Sequence, residues 1–444
     1  MKKSALACII LAAGRGTRMR SELPKVLHPV AGLPMLGHVI RAAGELGAQQ
    51  TVVVVGPEME KVAKFSAPHP TVMQTKQQGT ADAVRAAEAQ LGKFDGYILI
   101  LYGDTPLVDA DALRALCDAG QENAADVVVA AFKPADPGAY GRVIVNKNGQ
   151  VTAIVEALDA TPEQKSLRLC NGGMMLLAAP KMWELLAKIK NDNAKKEYYL
   201  TDIVKLAHDD GLKTAFAEIP EDAVLGVNDR VELAVAEGIF QRRMRERVMR
   251  AGASLPQPES VHFAFDTVIG QDVTIGQNVV FAPGVVVEDK VQIRPFCHLE
   301  GVRIGVGATV GPFARLRPGT KLGKNTHIGN FVELKNATVG EGSKINHLTY
   351  IGDAEIGSTA NIGAGTITCN YDGFKKHLTV IGNGAFIGSN TALVAPVEIG
   401  NGAFVGAGSV ITEDVPPDTL AVARGRQVNL ENWAQRFRDT KKQK

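Results

Sequence analysis

At 444 residues the chain is long enough for two or three domains with sizeable cores. Its 49 basic and 47 acidic residues leave a net charge of +2, so no global basic field points to nucleic acid, and Arg242, Arg243, Arg245, Arg247 and Arg250 read as a solvated helix face. The five cysteines (Cys8, Cys117, Cys170, Cys297 and Cys369) are dispersed without CxxC pairs, which argues against a disulfide framework or zinc knuckle and fits a reducing cytosol. Ala5 to Ala13 is apolar behind two lysines, in outline like a signal peptide. The stretch is short, however, and Gly14 to Arg20 turns polar and basic without a small-residue cleavage pattern. No run approaches a membrane span. A soluble, cytoplasmic protein without membrane insertion is expected.

Up to about Val227, short β-rich runs alternate with helical patterns. Strands are predicted at Leu6 to Leu11, Thr51 to Val55, Tyr97 to Leu101 and Asp126 to Phe132, and helices at Met35 to Leu46, Ala81 to Leu91 and Ala110 to Asn123. That order gives a Rossmann-like α/β domain with a mostly parallel sheet, and ligands collect at the carboxyl ends of such strands. Asp229 to Arg250 lacks proline and spaces Val231, Val235, Ile239 and Met249 as a helix does, so it reads as a joining helix, with Ala251 to Pro258 as a linker.

From Ile269 to Ile411 an aliphatic residue returns at every sixth position, with occasional five-residue steps. Ile269, Ile275, Phe281, Val287, Ile293 and Leu299 set the period; Ile304, Val310, Leu316, Leu322, Ile328 and Leu334 continue it. Val339, Ile345, Ile351, Ile356 and Ile362 follow, and the last run is Ile381, Ile387, Leu393, Ile399, Val405 and Ile411. A fixed six-residue unit predicts a parallel β-helix, each coil burying its inner face only against the next, about 4.8 Å away. The repeat breaks from Thr368 to Val380, and such an insertion in a regular solenoid reads as a functional loop. Beyond Val415, Pro416 and Pro417 stop the pattern, and the tail from Lys441 to Lys444 is expected to be disordered. The expected division is 1–228, a linker helix and connector 229–258, a β-helix 259–424 and a tail 425–444.

Behind the first strand runs Leu11-Ala12-Ala13-Gly14-Arg15-Gly16-Thr17-Arg18-Met19, with Pro24-Lys25 shortly after. A Gly-rich turn there exposes N–H groups to phosphate, and Arg18 and Lys25 add positive charge. It is neither a P-loop nor a dinucleotide fingerprint. Tyr102-Gly103-Asp104 ends an apolar strand, where a catalytic carboxylate belongs; taken alone, Asp104 reads first as a helix N-cap before Leu113. The full string resembles the signature of sugar-1-phosphate nucleotidyltransferases, in particular the uridylyltransferases of N-acetylglucosamine 1-phosphate. The resemblance implies uracil contacts at Gln74, Gln77, Gly79 and Thr80, where Ala81 and Asp82 stand in place of the usual Gly-His. It implies sugar contacts at Gly141, Glu156 and Asn171, the last in Cys-Asn-Gly-Gly-Met rather than Asn-Thr-Gly. It further implies Mg²⁺ between Asp104, Asn228 and phosphate oxygens, with Lys25 and Arg18 stabilising the leaving group; a hard cation suits oxygen ligands.

The repeats are similar to the hexapeptide acyltransferases, whose β-helix is left-handed with three hexapeptides per coil and whose members are typically homotrimers. Arg317 in Leu-Arg-Pro-Gly, Lys335 in Phe-Val-Glu-Leu-Lys, His347-Leu-Thr-Tyr350 and Asn361 resemble the acetyltransferase half of the bifunctional glucosamine-1-phosphate acetyltransferase/uridylyltransferases. On that resemblance His347 is the base, Glu333 orients its ring, Arg317 and Lys335 hold the phosphate, and Tyr350 and Asn361 hold the sugar. Ala364, Asn370, Tyr371, Ser389, Ala407 and Arg424 match contacts to acetyl-CoA. The substrates implied are glucosamine 1-phosphate, acetyl-CoA, UTP and N-acetylglucosamine 1-phosphate. Three other readings stand beside it: a single-activity hexose-1-phosphate nucleotidyltransferase with a structural β-helix, a γ-type carbonic anhydrase-like metal site at His298, His327 and His347, and a non-enzymatic scaffold.

Overall fold

The computed structural model describes residues 5–193 and 196–442. The chain forms two compact units that divide between Arg243 and Met244, inside the helix Arg230–Arg250. Most of the expected joining helix therefore belongs to the first unit.

In that unit, strands β1 (Leu6–Leu11), β2 (Gln50–Val55), β3 (Thr71–Met73), β4 (Tyr97–Tyr102), β5 (Val127–Phe132), β6 (Arg142–Val145), β7 (Val151–Val155), β8 (Cys170–Ala178) and β9 (Thr214–Glu218) make one sheet. Its order is β9-β5-β8-β4-β1-β2-β3, with β6 and β7 as a side hairpin. All neighbours along this order pair in parallel except β8, which runs antiparallel between β4 and β5. The alternation of side chains along β1 explains why the strand is apolar throughout. Cys8, Ile10 and Ala12 enter one hydrophobic cluster, while Ala7, Ile9, Leu11 and Ala13 enter the cluster on the opposite face. Truncating a side chain such as Ile9 to alanine costs about 2–5 kcal/mol in a core of this kind.

Met35–Leu46 is helical as expected, and Ala110–Glu122 stops one residue short of the expected end. The helix expected over Ala81 to Leu91 is two pieces, Thr80–Arg85 and Glu88–Leu91. No proline marks the break; tertiary contacts hold it. The Arg85 guanidinium donates to Leu186 O and Ile189 O and stacks 4.7 Å from the Tyr198 ring centre. Arg230–Arg250 is the expected helix, beginning one residue later than expected. Val231 and Val235 are 73% and 49% exposed, and the buried face is Ala236, Gln241, Met244 and Val248. Helical spacing found an apolar stripe, but the close-packed face runs through the small Ala236.

The second unit is a parallel β-helix whose inward residues stack in three columns, hence three hexapeptides per coil. One column runs Ile275, Ile293, Val310, Ile328, Ile345, Ile362, Ile387 and Val405. A second begins Phe263, Phe281, Leu299, Leu316, Leu334 and Ile351. The third runs Ile269, Val287, Ile304, Leu322, Val339, Ile356, Ile381 and Ile399. All but Ile269, on the first coil of its column, are buried. At the break in the repeat the inward position is Thr368, which stacks under Leu393 and then Ile411. Its hydroxyl is satisfied inside the coil by Gly352 N, 2.8 Å away, so a polar residue is tolerated at a core position.

The tail is not wholly irregular: Trp433–Lys442 is a helix, so the expected disorder at Lys441 and Lys442 is corrected, and the last two residues lie outside the described set. Trp433 stacks on Phe437 at 5.2 Å and Lys441 Nζ lies 5.9 Å from the same ring, both four residues apart on one face. Among the described residues no helix is long and apolar enough to cross a membrane.

Candidate active sites

The first site forms at the carboxyl ends of β1 and β4. Beyond β1 the turn Leu11-Ala12-Ala13-Gly14 borders a cavity of about 340 Å³ together with Arg15, Lys25, Gln74, Gln77, Gly79, Thr80, Tyr102 and Asp104. Gly103 braces the floor, its N–H donating to Leu11 O at 2.9 Å. The Lys25 ammonium pairs with Asp104 Oδ2 and lies 3.3 Å from Asn228 Oδ1. Two oxygens brought in from residues 124 positions apart in the chain thus converge on one positive charge. Asp104 is not the helix cap: Asp109 accepts from Ala112 N at 2.9 Å and starts Ala110–Glu122. Arg18 sits exposed on the turn Thr17–Met19, and Arg15, just ahead of that turn, borders the cavity.

The Gln74–Thr80 loop is held from several sides. Gln77 donates to Ala13 O at 2.5 Å, and Gln74 donates to Gly79 O and Asp82 Oδ2, each at 2.9 Å. Asp82 also accepts from Gln78 N at 3.1 Å. The acidic residue at the departure from the usual Gly-His is therefore a brace for this loop. Gly79 is required where it stands: its φ is +122°, and a Cβ would come within 2.5 Å of Tyr198 O.

A second cavity of about 910 Å³ shares Thr80, Tyr102 and Glu197 with the first and extends past Glu156, Asn171 and Arg142. Together they make one cleft with a nucleotide-sized end and a wider end. Gly141 lies behind the lining, its carbonyl accepting from Asn171 N at 2.8 Å. Burial, reinforced by the Asp104 and Glu156 carboxylates, pushes the Tyr102 hydroxyl well above its ordinary pKa, so it remains a neutral donor.

In the β-helix, Arg317 donates to Glu333 Oε1 at 3.0 Å. Glu333 was expected to orient His347. The structure corrects this, because the ring's Nδ1 lies 2.7 Å from Asn330 Oδ1, while Glu333 faces Arg317 and Arg315 from a neighbouring strand. Lys335 lies beside Lys376, whose ammonium, with Arg317, lowers the pKa of Lys335. Two ammonium groups side by side with a guanidinium near them form a place for a polyanion. Tyr350 lies within electrostatic reach of Lys376. The Asp353 carboxylate is gripped by Asn336 Nδ2 at 2.7 Å and Asn370 Nδ2 at 2.5 Å.

The inserted loop leaves the coil at Asn370 and returns at His377, whose N–H donates to Asn370 O at 2.9 Å. Asp372 organises it, accepting from Phe374 N, Lys375 N and His377 Nε2, each at 2.7 Å. Tyr371 is 61% exposed and Phe374, at the tip, 93%. Ala364, Ser389, Ala407 and Arg424 fall on successive coils at one corner. Asn390 N donates to Ala364 O, Gly408 N to Ser389 O and Arg424 Nη1 to Ala407 O, at 2.7, 2.8 and 2.5 Å. Asn361 sits on an adjacent strand, in register between Lys344 and Phe386.

A family model described as a MobA-like NTP transferase domain matches residues 8–205, and one described as bacterial transferase hexapeptide (six repeats) matches residues 266–301 and 378–413. A protein of Paramagnetospirillum magneticum named "Bifunctional protein GlmU" is 55% identical over 439 residues, covering 99% of this chain and 98% of that one. The chain belongs to the GlmU family. Identically named proteins of Rhodospirillum rubrum and Zymomonas mobilis are 55% and 48% identical, each over at least 97% of both chains. A solved UDP-glucose pyrophosphorylase complexed with UDP-glucose covers 54% of this chain and 99% of its own at 17% identity, with a TM-score of 0.46. The GlmU-family assignment makes the chain a bifunctional transferase with the expected fold class: a Rossmann-like nucleotidyltransferase domain and a left-handed β-helix of hexapeptide repeats.

Within this GlmU-family chain, sequence reasoning missed Arg15, Glu197, Asn330 and Lys376. Arg15 stands inside the Leu11–Met19 motif, and Lys376 inside the Thr368–Val380 insertion. Glu197 and Asn330 carry no local signal, since only the fold brings them beside Tyr102 and His347.

Proposed function

We propose that this chain makes UDP-N-acetylglucosamine by two successive transfers, acetylation of glucosamine 1-phosphate in the β-helix and uridylyl transfer in the α/β unit. The observation that carries the reading is full-length similarity to proteins named bifunctional, in a chain whose two units each assemble a candidate site.

In the β-helix, Arg317, Lys335 and Lys376 hold the sugar phosphate, which relieves the repulsion between the two ammonium groups. Tyr350 and Asn361 hold the sugar. The amine nitrogen attacks the thioester carbonyl of acetyl-CoA, the C–S bond breaks, and the amine proton passes to His347 and on to the departing thiolate. Ala364, Ser389, Ala407 and Arg424, with Asn370 and Tyr371 of the loop, hold the coenzyme. The family's typical homotrimer and a cytoplasmic location complete the reading.

In the α/β unit the uracil lies against Gln74, Gln77, Gly79 and Thr80, the phosphates over Leu11–Gly14 with Arg15, Arg18 and Lys25, and the sugar in the wider end at Gly141, Glu156 and Asn171. The sugar phosphate attacks the α-phosphate of UTP and pyrophosphate leaves. Asp104 and Asn228 fit Mg²⁺, since both present an oxygen to one point already occupied by a cationic group. Mg²⁺ held there supplies charge neutralisation for two polyanions that must meet. Lys25 moves off these oxygens to the phosphates, and no covalent nucleophile is needed.

Crossing two substitutions with two assays tests this. His347→Ala lowers acetyl-transfer turnover about 10²–10⁴-fold and leaves uridylyl transfer intact. Asp104→Ala abolishes Mg²⁺-dependent uridylyl transfer and leaves acetyl transfer intact. A folded variant that keeps its own reaction, or loses both, contradicts the assignment.

A further inference from the structure

Asn330 and His347 occupy equivalent places on consecutive coils, paired in register. The imidazole Nδ1 lies 2.7 Å from Asn330 Oδ1. The backbone around both is fixed. Leu348 N donates to Asn330 O at 3.0 Å, and the His347 carbonyl accepts from Thr349 Oγ1 at 2.7 Å and Gly365 N at 3.3 Å. Gly329 allows the close approach, because a Cβ there would strike the Asn346 carbonyl of the next coil. Asn330 is half-buried and the outer side of His347 is open to solvent.

A carboxamide oxygen has no proton, so the hydrogen of this bond must sit on Nδ1. The neutral ring then carries its lone pair on Nε2. The carboxamide is also uncharged, so unlike a carboxylate it fixes the ring without favouring the imidazolium. We infer that Asn330 is the positioning residue for the base of acetyl transfer: it holds His347 in the Nδ1–H tautomer and keeps Nε2 free to take the amine proton. This rests on His347 being that base. The charged and titratable groups nearby are His327 on the strand of Asn330, Lys344 on the strand of His347, and Arg294, which with Lys344 and His347 acts on His327. The following strand, Asn361–Ile362, brings none. Glu333 is turned to Arg317. No carboxylate pairs with the His347 ring among the described residues.

The test uses the full chain and three variants, with acetyl-transfer kinetics followed against pH. In Asn330→Ala the ring loses its anchor, and kcat falls about 10–100-fold, the usual loss for a hydrogen-bond partner that orients a working histidine, while KM for both substrates and the melting temperature stay near wild type. In Asn330→Asp, similar in shape and charged, the carboxylate favours the imidazolium, and the acid limb of kcat/KM moves up by about one pH unit or more. An unshifted limb in the aspartate variant, or wild-type kcat in the alanine variant, overturns the inference. A kcat loss in alanine matched by a loss of melting temperature and absent from the aspartate limb overturns it as well. His347→Ala separates the two levels. If it retains turnover, the base assignment itself falls; if it loses turnover while the Asn330 variants behave as wild type, only the role of Asn330 falls.

Discussion

Asp82 decides how the nucleotide end of the cleft is built. Its carboxylate accepts from both Gln74 Nε2 and Gln78 N, so the loop that meets the base in the proposed reading is tied to the start of the next helix. Each such bond contributes about 0.5–1.5 kcal/mol net, and leaving a donor unmet costs more. Asp82→Ala should therefore raise KM for UTP roughly tenfold with a small change in kcat, and leave acetyl transfer untouched. Steady-state kinetics on both half-reactions check this, and an unchanged KM would remove Asp82 from the loop's support. That the motif residues around it gather at one cavity was legible, because they follow parallel strands whose carboxyl ends converge there. Asp82 stood out only as a departure, since its value lies in a bond across the turn that spacing does not encode.

The inserted loop Asn370–His377 carries acetyl-CoA contacts in the proposed reading, and its shape depends on one side chain. The N–H of Lys375, then His377, then the N–H of Phe374 hold the Asp372 carboxyl well below the usual carboxylate range. A group whose folded pKa is depressed supports the fold above its unfolded pKa, about 3.9 for aspartate, and loses that support only as pH falls through the lower folded value. The clamp is thus fully present at neutral pH. Asp372→Ala should free the loop and raise KM for acetyl-CoA about tenfold, read from initial rates, with uridylyl transfer unchanged; an unaltered KM would show that the clamp does not serve coenzyme binding. Elements of strong period were readable in advance. The hexapeptide columns came through because each inward position repeats its neighbour's task, and Met35–Leu46 because an uninterrupted amphipathic stripe ends at Gly47. On Arg230–Arg250 the helix was legible but its packed face was not: Val231 and Val235 are exposed, while Ala236, Met244 and Val248 are buried. Asn330 was unreadable for a related reason: its partner lies 17 residues away, on the next coil, and only the coil length makes them neighbours.

Across the whole molecule the two candidate sites belong to different compact units, one ending at Arg243 and the other beginning at Met244. The product of the first proposed reaction, N-acetylglucosamine 1-phosphate, is the acceptor of the second, so one chain takes an amino sugar phosphate to a nucleotide sugar. The most direct measurement supplies the purified full-length chain with glucosamine 1-phosphate, labelled acetyl-CoA, UTP and Mg²⁺, and follows the label into nucleotide sugar while CoA and pyrophosphate are counted. The account predicts labelled UDP-N-acetylglucosamine, with one CoA and one pyrophosphate released per product and no product when either acetyl-CoA or Mg²⁺ is withheld. Uridylyl transfer to supplied N-acetylglucosamine 1-phosphate with no acetylation of the free amine would contradict it, leaving the β-helix a structural support.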